Sequence, residues 1–339
     1  MSPPLRTVAR ALALALGIAL LPASARAVPT AAEIFDALGF SKEDQDLALR
    51  GELVTTDRTD SSDRELTVVM AFVVKVPPDE LVEEFYRQAD YGADPAVTAF
   101  GRIEADAGAE AFQGVRLQPG GRQVAESYLD PQPDEFNLSS EEAAAFRGLV
   151  GADPTQAVEE QLRKVLLARY EGYRARGLSG IPPYDRDGKS YQPSDDIRRA
   201  VKAQKLMVKY APSFERTLLE YPKYKADGLR EQFLWVNFEL DELPTIVLSQ
   251  RLSAPVGEGI HALSERHYYV SRSHNTVQTF AGIFPVQEGT LVFYENRTST
   301  DRAAGFGSGA RHTLGRKIMA RQIGGIFDKY RATKAGGAR

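Results

Sequence analysis

Three strand-like runs in succession, Tyr268 to Ser273, Val277 to Phe284 and Leu291 to Thr298, followed by one amphipathic helical stretch, constrain this chain most. Each run alternates at a period of two, and the Gln287-Glu288-Gly289 turn between the last two suits a hairpin. Pairing Ser273 with Thr276 and Phe284 with Leu291 sorts their side chains onto two faces. Tyr268, Ala281 and Tyr294 share one face with Val270, Thr279 and Asn296. His267, Gly282 and Phe293 share the other with Tyr269, Phe280 and Glu295, then Ser271, Gln278 and Arg297. Aromatic residues on both faces call for cover on both sides. A one-residue slip in either turn exchanges the faces of a strand, so the rows depend on the register.

The closing helix supplies one cover, because Leu314, Ile318, Met319, Ile323, Ile326, Phe327 and Tyr330 form a broad apolar stripe. Gly315, Gly324 and Gly325 interrupt it at about 1 kcal/mol each relative to alanine, a cost that close approach to the sheet or a bend would return. The other cover falls to helices between Ser139 and Tyr221. Ser139-Ser140-Glu141-Glu142 reads as a helix start, and Asp153-Pro154 caps the longest helical pattern, with Val158, Leu162, Val165, Leu166, Arg169 and Tyr173 on one side and Gly177 as its stop.

Upstream, Leu66 to Val76 reads as a strand buried on both sides, and Pro77-Pro78-Asp79-Glu80 starts a helix whose Asp79, Glu80, Glu83 and Glu84 form a solvated acidic face. Strands are predicted over Ala96 to Ile103, Phe233 to Leu240 and Thr245 to Leu252, with a loop at Pro255 to Gly259 and a tight turn at Tyr184 to Lys189. The fold class is therefore α+β: an antiparallel sheet, a closing C-terminal helix and a large helical insertion. Its expected layout is a core of 65–105 and 230–331, an N-terminal helical segment at 28–64, a mostly helical insertion at 106–229 packed on the core, and a disordered tail at 332–339.

Residues 1–27 place Arg6 and Arg10 before the apolar run Ala11 to Leu21 and end in Ala25-Arg26-Ala27, the pattern of a secretory signal peptide cleaved after Ala27. Periplasmic or secreted localisation follows, with no transmembrane helix after cleavage. Loss of the three arginines takes the net charge from -4 to -7, which argues against nucleic acid as a partner. The chain has no cysteine, so an exported protein of this sequence folds without disulfides.

Tests for chemistry return no catalytic set, no metal site and no cofactor. Gly305-Phe306-Gly307-Ser308-Gly309-Ala310 approaches a dinucleotide fingerprint but lacks the second strand and its ribose-binding acid, and reads as a flexible turn into the helix. The four histidines, His261, His267, His274 and His312, miss zinc spacing, and on an alternating strand His267 and His274 face opposite ways. Gly177-Leu178-Ser179-Gly180-Ile181 misses the nucleophile elbow.

The strand Leu66 to Val76 running into Pro77-Pro78-Asp79-Glu80-Leu81-Val82, with the closing meander and helix, resembles the helix-grip fold of START and Bet v1-like proteins over about half the chain. His267-Tyr268-Tyr269-Val270-Ser271 and Asn296-Arg297-Thr298-Ser299-Thr300-Asp301 resemble an uncharacterised family of exported bacterial proteins, which brings no activity with it. The expected function is binding of a hydrophobic or amphipathic small molecule, lipids included, between sheet and C-terminal helix. The alternatives are an envelope interaction or structural protein and an enzyme of unidentified class. Candidate ligand-binding residues are His267, Tyr268, Tyr269, Tyr294, Asn296, Arg297 and Trp235; a purely structural Glu295–Arg297 pair that fixes the register is the competing reading of Arg297.

Overall fold

The computed structural model describes residues 29–132, 135–149, 153–186, 188–304 and 308–336. The expected signal peptide lies outside the described residues, as do Asp187, the Gly305–Gly307 part of the bend and the last three residues of the tail. The chain opens with α1 (Ala31–Leu38) and α2 (Lys42–Leu49), each begun by a reciprocal capping box, Thr30 with Glu33 and Ser41 with Asp44. Then come β1 (Val54–Asp57), β2 (Glu65–Val74), α3 (Pro78–Tyr86), α4 (Ala89–Ala93) and β3 (Val97–Ile103). The helical stretch holds α5 (Gly121–Leu129), α6 (Ser140–Arg147), α7 (Pro154–Arg176), the small hairpin β4 (Tyr184–Arg186) and β5 (Lys189–Tyr191), then α8 (Pro193–Ala203), α9 (Lys205–Tyr210) and α10 (Pro212–Glu220). The chain closes with β6 (Arg230–Leu240), β7 (Leu243–Gly257), β8 (Ile260–Val270), β9 (Thr276–Val286), β10 (Gly289–Ser299) and α11 (Ser308–Gly336).

Eight strands pair antiparallel in the order β1-β2-β10-β9-β8-β7-β6-β3. One face carries Val69, Ala71, Tyr269, Phe280 and Phe293 into a large core shared with α1, α2 and α5 to α10. The opposite face carries Phe72, Val74, Leu263, Ile283 and Val292 toward α3 and α11. The α+β class, with a large antiparallel sheet and a C-terminal helix, is the one the alternation predicts.

Register decides which side chains meet. Phe284 pairs with Leu291, as expected, so Tyr294 aligns with Ala281 and Asn296 with Thr279. In β8, however, His267 pairs with Val277 rather than Gly282. That odd shift exchanges the faces of β8 relative to its neighbours. Two causes are visible. The strand begins at Ile260 rather than Tyr268, with Glu265 and Arg266 buried in it where their charge hid the alternation. The connection to β9 is also longer than a two-residue turn, and the Asn137 side chain pins it by donating to the carbonyls of Val270 and His274.

A β-bulge confines the exchange to the residues up to Tyr268. Leu248 faces Tyr269 and Ser249 faces His267, so Tyr268 is the extra residue, and both adjacent tyrosines point into the helical layer. There Tyr268 stacks on Tyr173 of α7 at 4.1 Å and the Arg169 guanidinium lies 4.3 Å from the Tyr269 ring centre. The same helix meets α6 through Arg169, which donates to Glu142, itself the partner of Ser139 in the α6 capping box.

α11 continues past Ala332, where the sequence predicts a tail. Gly315 gives close approach: a Cβ there would sit 2.9 Å from Leu66 Cδ1, and one on Gly324 would be 3.2 Å from Leu53. Gly325 has open space beside it. Glu84, expected on a solvated face, is buried and accepts from the Tyr330 hydroxyl of α11.

Gly282 tests the tight face. A Cβ there would overlap the Phe293 ring and reach within 2.6 Å of the Phe284 ring. Gly282→Ala is expected to cost about 1–3 kcal/mol in urea unfolding, because the rings can move only by disturbing a close-packed core.

Candidate ligand cavity

Between the sheet and α11 lies a cavity of about 860 Å³, within the roughly 300–1,000 Å³ of small-molecule sites. Its floor is Phe72 of β2, Leu263 of β8, Ala281 and Ile283 of β9, and Val292 and Tyr294 of β10. Leu314, Ile318, Met319 and Ile323 of α11 form the roof, and Leu81, Phe85 and Tyr91 close one side.

The roof is fixed at both ends. Toward its start, His312 Nδ1 and Arg316 Nη1 lie 2.6 and 2.7 Å from Asp60 Oδ2. Toward its end, Phe327 packs on Phe72 and Tyr294, with ring centres 5.2 and 5.3 Å away. Between these anchors the helix spans the cavity. Leu314 and Ile318 line it and remain 61% and 48% exposed.

The polar end is built around Arg251 of β7, which is fully buried. Its guanidinium pairs with Asp90 at 2.6 Å and Glu265 at 2.9 Å, and donates to the Phe85 carbonyl. Glu265 also accepts from Ser249 at 2.8 Å, from the Tyr91 hydroxyl, and faces His267 Nε2 at 3.3 Å. Burial alone would raise the Glu265 carboxyl, but the neighbouring Arg251 charge and the hydrogen bond from His267 hold it well below the usual carboxylate range. Burial, with His267 and Arg302 nearby, depresses His274 to about 3.

Among the candidate ligand-binding residues, His267, Tyr294 and Asn296 line this cavity. Tyr268 and Tyr269 face the helical layer instead. Arg297 is also on that side, closed between Glu65 at 2.5 Å and Glu295 at 2.6 Å, so it makes the structural pair rather than a ligand contact. Trp235 is held away from the cavity by its fit against Gly101 and Gly114, where a Cβ would come within 2.6 and 2.7 Å of the indole, while Nε1 donates to the Ala111 carbonyl at 2.7 Å. Alternation alone already sets Tyr294 and Asn296 apart from Tyr269 and Arg297; the face exchange of β8 brings His267 to the cavity and takes Tyr268 from it, and the packing of β3 on β6 holds Trp235 away.

His267 and His274 do not face opposite ways. Their ring centres are 6.0 Å apart and both line the cavity, because the β8–β9 connection, with Ser273 at φ 78°, folds His274 back beside the strand. Sequence reasoning also missed Arg251, Glu265, Asp90 and Tyr91. A signal was present for Arg251 and Glu265, charged residues inside strongly apolar strands that must be paired when buried; Asp90 and Tyr91, on α4, carried none. Among the described residues no cluster of metal-ligating side chains forms, and no helix is long and apolar enough to cross a membrane.

No family model matches the chain, and no curated protein does. Among solved structures it is similar to a chain titled "Crystal structure of Ara h 8.0201", at 11% identity and a TM-score of 0.20, over 41% of this chain and 87% of that one. At that score the likeness carries no argument, and the architecture rests on the strand order and packing described above.

Two outcomes follow from the charges. Arg297→Ala leaves Glu65 and Glu295 buried without their cation and is expected to cost on the order of 3–5 kcal/mol in chemical denaturation. Acidification should also destabilise the fold. Between the ordinary histidine value of 6.5 and about 3, the unfolded chain takes up a proton at His274 that the native state declines, so the stability present above 6.5 is lost as pH falls. Glu265, depressed in the native state, contributes stability above its ordinary value of 4.5 that is lost at lower pH. Thermal midpoints should decline through this window, and His274→Gln should flatten the upper part of the slope.

Proposed function

We propose that this is an exported protein that binds an amphipathic small molecule, with lipids in the candidate class, in the cavity between the sheet and α11. The observation that carries this reading is the roof: Leu314 and Ile318 are held over an apolar space that no side chain fills, although they remain exposed. Burying such side chains is worth roughly 1.5–3 kcal/mol each, so a ligand body in the cavity gains contacts that the protein does not make with itself. The walls divide into an apolar region below α11 and a polar end at Glu265, His267 and His274, which suits a molecule with a hydrophobic body and a polar head. Export is supported by the arginine–apolar–small-residue pattern of residues 1–27.

The test is Nile red fluorescence on the purified protein, combined with native mass spectrometry after mild extraction. Enhanced emission that saturates is expected. Ala281→Trp, which places an indole on the cavity floor, should weaken dye binding by about tenfold or more, a loss near 1.4 kcal/mol, with the circular dichroism spectrum kept. Absence of dye binding and of any co-purified ligand would sink the proposal.

A further inference from the structure

The closing helix carries a charge opposite to that of the rest of the protein. Between Ser308 and Gly336, α11 holds seven arginines and lysines against one acid, Asp328, a net +6 within a chain whose total is -4. Charge of one sign gathered on one element creates a local field that the overall balance conceals. At about 100° per residue, Arg311, Leu314, Lys317, Ile318 and Arg321 fall within roughly one third of the helix circumference, and all are exposed. Among the described residues, Leu314 and Ile318 are the most exposed of the large apolar side chains. Arg316, on the opposite side, is taken up by Asp60, whereas Lys317 and Arg321 have no ion-pair partner among the described residues. The outer face is therefore apolar in its middle and cationic along both margins.

An anionic bilayer complements both parts of that face. Its headgroups offer diffuse negative charge to the cations, and the acyl boundary just beneath takes up the apolar side chains of a helix lying flat. Nucleic acid offers the phosphates without the apolar layer. No described helix is long and apolar enough to cross a membrane, so the contact is confined to the surface. Leu314 and Ile318 also line the cavity, so its opening runs beside them and meets the same surface. The exposed acids lining the cavity, Glu239 and Asp241, lie at the β6–β7 turn, and Arg302 pairs with Asp241 at 2.6 Å.

We propose that the outer face of α11 docks on an anionic lipid bilayer, with Arg311, Lys317 and Arg321 among the headgroups and Leu314 and Ile318 at the acyl boundary. The experiment is co-sedimentation of residues 28–339 near neutral pH with vesicles of phosphatidylcholine alone or of phosphatidylcholine and phosphatidylglycerol in equal parts. Binding to the mixture and not to phosphatidylcholine alone is expected, and it should weaken as salt is raised. The double substitution Lys317→Gln/Arg321→Gln, checked for folding by circular dichroism, should lower binding to the mixture about tenfold or more. Nile red binding should be unchanged in that variant, because neither side chain lines the cavity. Equal binding to both vesicles, no binding to either, or binding that the double substitution leaves intact overturns the proposal. Equal affinity for polyglutamate, which offers the charge without the apolar layer, overturns it as well. Docking and cavity binding are read separately: failure with vesicles leaves the dye result standing, and failure with the dye leaves the vesicle result standing.

Discussion

An eight-stranded antiparallel sheet with two apolar faces has to be covered twice, and this requirement governs the rest of the molecule. On one side the helices between β3 and β6 pack directly on the strands, with Tyr173 and Arg169 of α7 laid against Tyr268 and Tyr269. On the other, α3 and α4 cover one side, and α11, held at its two ends, bridges the middle. The first cover is close-packed, and the second encloses space. A single helix about 10–12 Å across cannot fill the width of so many strands, and the side chains between the anchors of α11 are too few to do so.

Charge burial takes different forms on the two sides. Toward the helical layer, Arg297 is closed by Glu65 and Glu295 within the sheet. Toward the cavity, Arg251 gathers Asp90 of α4, Glu265 of β8 and the carbonyl of Phe85. That second cluster joins the α3–α4 segment to the strands and so fixes one wall of the cavity. It also holds Glu265 at the polar end of the cavity, where its carboxylate accepts from Ser249, the Tyr91 hydroxyl and His267.

Much of the architecture is legible in the sequence. Alternation in Leu66 to Val76, Val277 to Phe284 and Leu291 to Thr298, the helix starts at Ser139 and Asp153, and the apolar stripe of the last helix all correspond to elements in the structure. The Phe284–Leu291 register was legible too, because a short turn leaves little freedom. The candidate site was legible only in part. His267, Tyr294 and Asn296 reach the cavity; Tyr268, Tyr269, Arg297 and Trp235 do not. The bulge at Tyr268 and the longer β8–β9 connection move side chains between faces without altering the local pattern, and the start of β8 is concealed by charges that only their buried partners make tolerable.

By itself, then, the sequence determined the α+β class, the strands with clear alternation and the need for two covers, since these depend on apolar periodicity and local caps that neighbouring residues decide among themselves. Tertiary structure decided which face each residue of β8 occupies, which acids surround Arg251, and that the space under α11 stays open with two imidazole rings along its polar end. These features depend on pairing between residues far apart in the chain, such as Asp90 with Arg251 and Asn137 with the carbonyls of Val270 and His274. A one-residue change in how such partners meet reverses an entire face, and local periodicity carries no record of it.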